Sequence, residues 1–312
     1  MADKVLIIKH GALGDFILSL GAMKAIAERH AEAHLTLMTT AAFRGLAERT
    51  GFFDDIVIDD RKSWDISNYL RMCKSVVADG GFSRVYDLQK SKRTRVKYFN
   101  LVRFFLKKPL QWAFVDADGL VVRQLIPKRA VLAEVVETRT PFEIPLSDVS
   151  FLKGPQEHFS ELPEKFILMI PGCSAAHPYK RWSAANYAAI ARKALKHGVN
   201  SVVLGTAEEK SVIEEICASS EAINFMNKAT LFDIPALAQR AAAVVGNDTG
   251  PAHMASYASA HTVLLFAEIT RRSAEKFNVP GVNYLIAENI DDTSPETVWR
   301  ILEKDLFKGE TE

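Results

Sequence analysis

Residues 5–20 read VLIIKHGALGDFILSL, and they decide the fold of the first half of the chain. Residues 5–8 form an aliphatic run with the length and composition of a buried strand. Gly11 and Gly14 permit a tight turn after it. Apolar side chains then recur at helical spacing from Ile17 to Ala27. The stretch therefore predicts a strand, a turn and a helix, which together open a βαβ fold.

The same alternation continues through the first half of the chain. Strand patterns at 34–39, 55–59 and 84–88 are separated by helical patterns around 42–50 and 66–78. Strands that alternate with helices predict right-handed crossovers and a parallel sheet. We therefore expect a Rossmann-like, doubly wound domain.

The pattern restarts in the second half with the strand KFILMI at 165–170. The next helix begins at Ser183 and ends at Gly198, and the last helix begins with Ser294 as its N-cap, followed by proline. We therefore expect a second Rossmann-like domain that ends in a closing helix. Its further strand patterns lie at 201–205, 223–226, 243–246, 262–266 and 284–286.

A stretch rich in glycine, proline and charge separates the halves near residues 154–163. We therefore expect an N-terminal domain of residues 1–160 and a C-terminal domain of residues 161–312. Two doubly wound sheets that face each other bring the loops at the carboxyl ends of their strands to a shared cleft. Functional residues should lie in those loops.

The composition fits two ordinary domains, because 312 residues exceed the usual size of one. A hydrophobic content of 48% with 25% charged residues is typical of a soluble globular protein. The net charge of +1 argues against a nucleic-acid binder. Cys73, Cys173 and Cys217 have no metal-ligand spacing and indicate a reducing compartment. Because we find no signal peptide and no apolar run of about 18 residues, we expect a cytoplasmic protein.

Asp15 is the first candidate for chemistry, because it lies in the first turn of the helix after the first loop. A carboxylate in such a loop can act as a general base. The alternative is an aspartate that only favours the helix macrodipole. Gly11 and Gly14 match only part of the GxGxxG motif, which disfavours an NAD-dependent oxidoreductase.

The second candidate is the loop GNDTGPAH at 246–253, where a buried strand leads into a helix. Free amides, the Thr249 hydroxyl and Gly250 at a helix N-terminus can bind an anion. His253, one turn into the helix, can donate to a phosphate. The alternative is that Asp248 only caps the helix and His253 only packs inside it.

The third candidate is the segment PGCSAAHPYKRW at 171–182, after the first strand of the second half. Ser174 can donate to a phosphate, and Lys180 is a mobile point charge suited to a pyrophosphate. The alternative is that Lys180 and Arg181 are a pair of merely solvated cations.

Taken together, IIKHGALGDFILSLGAMKAI, PGCS…KRWS and GNDTGPAH resemble glycosyltransferase family 9, the ADP-heptose:lipopolysaccharide heptosyltransferase family. The resemblance covers essentially the whole chain, with smaller cues in DLQ at 87–89 and LGTAE at 204–208. It implies an α/β, GT-B fold whose N-terminal domain binds the acceptor and whose C-terminal domain binds a nucleotide sugar. Gly11 and Gly14 would belong to the acceptor-side loop, where His10 replaces another residue of many relatives.

The resemblance also implies a role for each matching residue. Asp15 would be the general base, and Lys180 would contact the donor phosphates and assist catalysis. The donor-side glutamate of the family falls on Glu208 or Glu209, of which we favour Glu208. The other residues of the donor site would be Ser174, Asp248, Thr249, Gly250 and His253.

The mechanism implied is an inverting displacement, in which Asp15 takes a proton from an acceptor hydroxyl as it attacks the anomeric carbon. Lys180 and the helix terminus at Thr249 would stabilise the departing diphosphate, so we expect neither a metal nor a cofactor. The reaction expected is transfer of a heptose or related sugar from ADP-heptose to a lipopolysaccharide core or lipid A-type acceptor. Alternatives are a UDP- or GDP-sugar donor, or a nucleotide-sugar-binding protein without turnover.

Several acidic pairs are set aside. Asp116 and Asp118 form an Asp-x-Asp of the kind that holds a divalent metal in other glycosyltransferases, but Gly119 indicates a strand-end turn instead. The adjacent pairs at 54–55, 59–60 and 291–292 are interpreted as solvated or capping.

Residues 90–108 alternate basic with aromatic and aliphatic side chains. Such a segment can lie on an anionic membrane surface or bind a phosphorylated lipid acceptor. The alternative is that its apolar residues pack on the sheet while its charges face water. We expect an anionic glycolipid partner, no nucleic acid, and a peripheral position on the cytoplasmic face of the membrane. The basic residues are Lys90, Lys92, Arg93, Arg95, Lys97, Arg103, Lys107 and Lys108.

Overall fold

A computed structural model describes residues 3–59, 66–116, 119–125, 137–140, 142–152, 154, 159–259, 261–277 and 279–307. The chain divides into two compact units, Met1–Ser147 and Asp148–Glu312. The division lies before the expected boundary at residue 160, because the segment that leads into the second sheet packs on the second unit. There, Arg240 donates to the backbone carbonyls of Phe159 and Leu162.

The N-terminal unit is built on a sheet of seven strands in the order β3-β2-β1-β4-β5-β6-β7. Strands β1 to β4 pair in parallel, as predicted. β5 continues the parallel part of the sheet, while β6 and β7 add an antiparallel edge. The antiparallel strands were not predicted, because they need no crossover helix and so break the strand–helix alternation. The strands are β1 Lys4–Ile8, β2 His34–Thr39, β3 Asp55–Ile58, β4 Arg84–Asp87, β5 Leu110–Asp116, β6 Gly119–Leu125 and β7 Glu137–Thr140.

The helices of this unit cover the sheet. The first was predicted as one helix, but it is divided at Ser19, whose hydroxyl donates to the carbonyl of Asp15 at 2.7 Å. Such back-bonding to a carbonyl one turn earlier bends helices. The helices are α1 Leu13–Leu18, α2 Leu20–Arg29, α3 Arg44–Thr50, α4 Ile66–Arg71 and α5 Phe99–Phe105, with a 3₁₀ turn at Ala41–Phe43 and π-helical turns at Met72–Ala78 and Arg93–Tyr98.

The C-terminal unit has a sheet of six parallel strands in the order β10-β9-β8-β11-β12-β13. Counted from β8, this is the 3-2-1-4-5-6 order of a Rossmann fold. Both central strands, β8 and β11, are buried along their whole length, as their aliphatic sequences predict. The strands are β8 Phe166–Ile170, β9 Asn200–Gly205, β10 Ile223–Met226, β11 Ala243–Asn247, β12 Thr262–Ala267 and β13 Asn283–Ala287.

The helix ends of this unit follow the sequence signals closely. The helix predicted from Ser183 stops where Gly198 has a φ of +74°, and the Ser294 hydroxyl caps the last helix by accepting from the Thr297 amide at 3.2 Å. The helices are α6 Ala184–Lys196, α7 Lys210–Ala218, α8 Ile234–Arg240, α9 Gly250–Ser256, α10 Arg271–Phe277 and α11 Pro295–Leu306, with 3₁₀ turns at Pro178–Lys180, Ala207–Glu209, Leu231–Asp233, Glu268–Thr270 and Ile290–Asp292. Within the described ranges, no helix is both long and apolar enough to cross a bilayer.

Each unit is thus Rossmann-like, as the sequence predicted, and each sheet has a point where the strand order reverses. It lies between β1 and β4 in the N-terminal unit and between β8 and β11 in the C-terminal unit. Ligands of such sheets bind beyond the carboxyl ends of the strands at this switch point. All three candidate loops begin at the end of β1, β8 or β11, so the topology favours the sites that the sequence selected.

Candidate functional site

The loop after β1 is closely packed around Gly11. The backbone φ of Gly11 is +117°, which is strained for any residue that has a side chain. A Cβ at this position would also overlap the ring of Phe43. That ring is stacked on Phe16, with centroids 5.2 Å apart. Asp15 follows in the first turn of α1, as predicted, and its side chain is exposed. The turn therefore presents the carboxylate of Asp15 to solvent.

Hydrogen bonds with two neighbouring segments, which follow β2 and β4, hold this loop. The amide of His10 donates to Gln89 Oε1 at 2.9 Å, and the Thr40 hydroxyl donates to the carbonyl of His10 at 3.3 Å. Lys9 is buried, and its Nζ lies 3.5 Å from the carbonyl of Leu88. The loops after β1 and β4 are therefore linked to each other, directly at the switch point.

Asp59 corrects one interpretation made from the sequence. Its place beside another aspartate suggested a solvated or capping residue, yet its side chain is 0% exposed. The carboxylate lies 3.0 Å from His10 Nε2 and 3.4 Å from Arg93 Nη2, and it accepts from the hydroxyl of Tyr98. Burial and the nearby Asp59 raise the pKa of Tyr98 above its usual range. Side chains distant in sequence cover Asp59, so local pattern alone could not show its burial.

Lys180, Asp248 and His253 form a compact polar cluster in the C-terminal unit. Lys180 Nζ lies 2.7 Å from Asp248 Oδ2, and His253 Nε2 lies 2.8 Å from Asp248 Oδ1. Burial alone would raise the pKa of Asp248, but hydrogen bonds from His253 and Lys180 hold it below its usual value. The carboxylate thus stays ionised and fixes two nitrogen donors at the end of β11.

Neither of the plain structural alternatives for this loop describes it fully. The N-cap of α9 is Thr249 rather than Asp248, and the side chain of Thr249 makes no capping hydrogen bond. The Thr249 hydroxyl is buried without a hydrogen-bond partner among the described residues. His253 is buried, as that alternative expected, but it is bonded to Asp248.

Asn247 is a buried residue whose importance the sequence did not reveal. Its Nδ2 donates to the carbonyl of Pro171 at 2.7 Å, and its Oδ1 accepts from the hydroxyl of Tyr187 at 3.0 Å and from the amide of Trp182 at 3.3 Å. The side chain thereby ties the loop after β8 to the end of β11. Its place beside Asp248 in a buried strand end was the available signal, since a buried amide needs partners.

Ser174 and Lys180 lie on the loop that Asn247 holds. The Ser174 hydroxyl is exposed and accepts from the amide of Ala176 at 3.3 Å, which leaves its own hydrogen to donate. Lys180 ends the 3₁₀ turn Pro178–Lys180, and its side chain is 21% exposed. The loop after β8 therefore presents a hydroxyl and an ammonium at the same edge of the sheet.

Glu208 and Glu209 differ sharply in orientation. Glu208 is exposed, whereas the carboxylate of Glu209 accepts from the amide and the hydroxyl of Thr206 at 2.8 and 2.6 Å. The carboxylate of Glu209 lies close to Gly172, in the loop after β8. A Cβ added at Gly172 would be 3.0 Å from Glu209 Oε1. Of the two glutamates, Glu209 is the one directed at the switch point.

The remaining acidic pairs have ordinary structural roles where they are described. Asp291 Oδ1 accepts from the amide of Ser183 at 2.7 Å and so caps α6, as interpreted from the sequence. The Asp-x-Asp at Asp116 lies mostly outside the described residues, as does Asp60. Among the side chains that are described, no three of His, Cys, Asp and Glu come together in a way that could hold a metal ion.

Residues 90–108 contain both buried and exposed apolar side chains. Tyr98 and Val102 are fully buried in the core, whereas Phe104 is 62% exposed. Lys107 is exposed and lies 3.0 Å from Asp79 Oδ1. Apolar residues of this segment therefore pack on the sheet, while one aromatic side chain and several cations remain on the surface.

The chain is similar to known proteins in both sequence and structure. The family model described as glycosyltransferase family 9 (heptosyltransferase) matches residues 123–285. The chain is 23% identical over 300 residues to a protein of Haemophilus influenzae named lipopolysaccharide core heptosyltransferase OpsX, covering 91% of this chain and 84% of that protein.

Solved structures of the same family are similar over their full length. The family 9 glycosyltransferase from Veillonella parvula has a TM-score of 0.72 at 17% identity, with 98% of both chains covered. The structure titled ADP-heptose lps heptosyltransferase II of E. coli has a TM-score of 0.65 at 18% identity, with 99% of this chain and 100% of that chain covered. Likeness at this level of identity concerns the fold, and it confirms the predicted GT-B fold class.

Proposed function

Because the chain belongs to glycosyltransferase family 9 and is therefore a glycosyltransferase, we propose that it transfers a heptose from ADP-heptose to a lipopolysaccharide core. The names of the Haemophilus influenzae and E. coli relatives support this donor and acceptor. The observation that carries the proposal is the cluster of Lys180, Asp248 and His253 at the switch point of the C-terminal unit.

This cluster fits the leaving group of the reaction. A nucleoside diphosphate gains negative charge as the glycosidic bond breaks, and preorganised donors stabilise such charge most effectively. Asp248 holds the ammonium of Lys180 and the ring of His253 in fixed positions before the donor binds. Lys180 is the group that reaches the phosphates, because its side chain is partly exposed while Asp248 is buried.

Asp15 is the proposed general base on the acceptor hydroxyl. It is exposed in the first turn of α1, and its carboxylate has no hydrogen bond or ion pair with any described side chain. A carboxylate without a competing partner can accept a proton from a hydroxyl that is attacking the anomeric carbon. Attack from the face opposite the diphosphate would invert the configuration at that carbon. Lys180 provides the positive charge and His253 a hydrogen-bond donor, so the proposed mechanism needs no metal and no cofactor.

Two features of the C-terminal unit bear on donor recognition. The carboxylate of Glu209 lies against Gly172, where it can accept from the hydroxyls of a ribose. The exposed hydroxyl of Ser174 can donate to a phosphate. We therefore assign the role of the donor-side glutamate to Glu209 rather than to Glu208.

The donor is tested by thermal shift with ADP, UDP, GDP and NAD, followed by turnover of the matching sugar nucleotides. A ligand at 100 times its Kd adds about 2.7 kcal/mol of stability, which is readily measured. We expect ADP to give the largest shift and ADP-heptose to be consumed only when heptose-deficient lipopolysaccharide is present. A larger shift with UDP or GDP would move the proposal to that donor, and a preference for NAD would reject it.

An anionic membrane surface is the proposed location of the reaction, on the cytoplasmic face. Phe104 is exposed on α5, and its ring packs edge-on against Phe105, whose own ring lies 5.9 Å from the ammonium of Lys74. The exposed cations Lys107 and Lys108 follow on the same chain segment. An exposed aromatic ring among cations fits the interface of anionic lipids.

Flotation with vesicles rich in phosphatidylglycerol tests this location. We expect the wild type to float and Phe104→Ser with Lys107→Glu to remain at the bottom of the gradient. The matched control is Ile269→Ser with Lys210→Glu, which alters an exposed apolar residue and a cation in the other unit. Equal flotation of all three proteins would reject the membrane contact.

A further inference from the structure

The loop that follows β4 places cations beside the loop that carries Asp15. The amides of Gln89 and Lys90 both donate to Asp87 Oδ1, at 3.1 and 3.0 Å, which turns the chain sharply as it leaves the strand. Lys90 lies in this turn, and Lys92 and Arg93 begin the helical segment that follows it. Since Gln89 also accepts from the amide of His10, these cations lie at the switch point of the N-terminal unit.

Arg93 is the most constrained of the three cations. Its guanidinium carbon lies 4.8 Å from the centroid of the Tyr69 ring and 5.4 Å from that of Tyr98. Its side chain is 22% exposed. Two aromatic rings thus hold a cation at a fixed place and favour its charged form, as cation–π contacts do.

The hydrogen-bonding capacity of Arg93 is only partly used. Its Nη2 lies 3.4 Å from Asp59 Oδ1 and 3.4 Å from the hydroxyl of Tyr98, whereas charged pairs of this type are usually about 2.8 Å apart. Its Nε is buried and has no hydrogen-bond partner among the described residues. Asp59 cannot form a two-point pair with Arg93, because it also faces Tyr98 and His10.

A second buried group at the same place has an unused nitrogen. The ring of His10 is fully buried, its Nε2 faces Asp59, and its Nδ1 has no hydrogen-bond partner within the described part of the chain. A buried polar atom without a partner is costly unless a ligand or water completes it. His10 and Arg93 therefore both indicate a polar ligand beyond the carboxyl ends of β1 and β4.

We propose that Arg93 anchors a subsite for a carboxylate or phosphate group of the acceptor, beside the loop that carries Asp15. The planar fork of a guanidinium matches either anion with two parallel hydrogen bonds. An anion bound there would complete the donors that Asp59 leaves unused and would orient the acceptor relative to the base. The inference rests on the proposed function for the identity of the acceptor, but not for the binding of an anion.

The turnover experiment compares Arg93→Gln and Arg93→Lys with Arg84→Gln. Arg84 is a matched control, because it also lies over a tyrosine ring, at 5.8 Å, but at the amino end of β4. With heptose-deficient lipopolysaccharide, we expect Arg93→Gln to raise the acceptor KM about tenfold or more, the loss of one charged hydrogen bond. Arg93→Lys keeps the charge but not the planar fork, so its acceptor KM should lie between those of the wild type and Arg93→Gln. The KM for ADP-heptose should not change, and Arg84→Gln should match the wild type. Because Arg93 lies 3.4 Å from the buried carboxylate of Asp59, the Tm of Arg93→Gln should fall modestly.

Chemical modification of the acceptor identifies whether the bound anion is a phosphate or a carboxylate. Phosphatase treatment removes phosphates, and carbodiimide amidation neutralises carboxylates. Whichever treatment removes the bound group should raise the acceptor KM of the wild type and have no further effect on Arg93→Gln. Treated and untreated acceptors that behave alike with the wild type would overturn the proposal, as would an equal effect of Arg84→Gln.

Binding without turnover separates this inference from the proposed function. Glucose 6-phosphate and methyl glucuronide serve as probes, with methyl glucoside as the neutral control, and binding is followed by thermal shift. We expect at least one anionic probe to shift the Tm of the wild type. This shift should be absent for Arg93→Gln, and Arg93→Lys should retain part of it. If ADP-heptose is not turned over but this shift is present, the proposed function fails and the anion subsite stands. No anion-dependent shift in the wild type would overturn the subsite.

Discussion

Replacing Lys180 with methionine is the most informative single change in the C-terminal unit. It removes the ammonium that lies 2.7 Å from Asp248 Oδ2, while the carboxylate stays buried. Removing one partner of a fully buried pair costs about 3–5 kcal/mol. Here Lys180 is partly exposed and Asp248 keeps His253 at 2.8 Å, so we expect about 1–2 kcal/mol. For a unit of this size, Tm should fall by about 3–6 °C.

The same substitution should act much more strongly on turnover than on stability. Loss of one preorganised group that stabilises developing charge lowers kcat by about 10²–10³-fold. Tm is measured by calorimetry and kcat by ADP release from ADP-heptose. The control is Lys193→Met, which breaks a 2.6 Å pair with Glu296 on the exposed face of α6 and should change neither quantity. A kcat of Lys180→Met within about twofold of the wild type would refute the assignment of Lys180 to the leaving group.

Three further outcomes are expected in the same unit. Glu209→Gln should weaken ADP binding in calorimetric titration, whereas Glu208→Gln should not, and the reverse order would restore Glu208 as the donor contact. Gly246→Ala should lower the free energy of unfolding by about 1–3 kcal/mol, because its Cβ would lie 2.8 Å from that of Ala252. Urea titration measures this change, and an unchanged midpoint of unfolding would contradict the packing. The pKa of Asp248 is held below 3.8, so its stabilisation is present above that pH and is lost as pH falls through the lower folded value. Tm measured from pH 2 to 6 should therefore decline less steeply for Asp248→Asn, and parallel curves would exclude the linkage.

The sequence predicted the sheet regions that depend on strand–helix alternation. Strands of five to six aliphatic residues, such as β8, are recognisable because both their faces are buried. The strands β6 and β7 were missed because they pair antiparallel at the sheet edge, where no helix separates them. Local pattern therefore predicts the Rossmann-like part of each unit and does not reveal additions at its edge.

The candidate site was predictable where its residues lie in one loop. Asp248 and His253 are five positions apart in sequence and form a hydrogen bond, so their motif already contained the contact. Asp59 and Arg93 are 34 positions apart, and their contact depends on how α5 and its preceding turn pack on the sheet. The orientation of Glu209 likewise depends on a capping interaction with Thr206 that adjacent glutamates do not reveal in sequence.

The most direct test of the proposed reaction is heptose transfer by Asp15→Ala. The assay follows ADP release and the mass of heptose-deficient lipopolysaccharide, with ADP binding measured on the same protein. We predict that the wild type adds one heptose for each ADP released, and that Asp15→Ala binds ADP normally while its kcat falls by about 10²–10⁴-fold. Substantial turnover by Asp15→Ala would contradict the base assignment, and no acceptor-dependent ADP release by the wild type would contradict the proposed reaction itself.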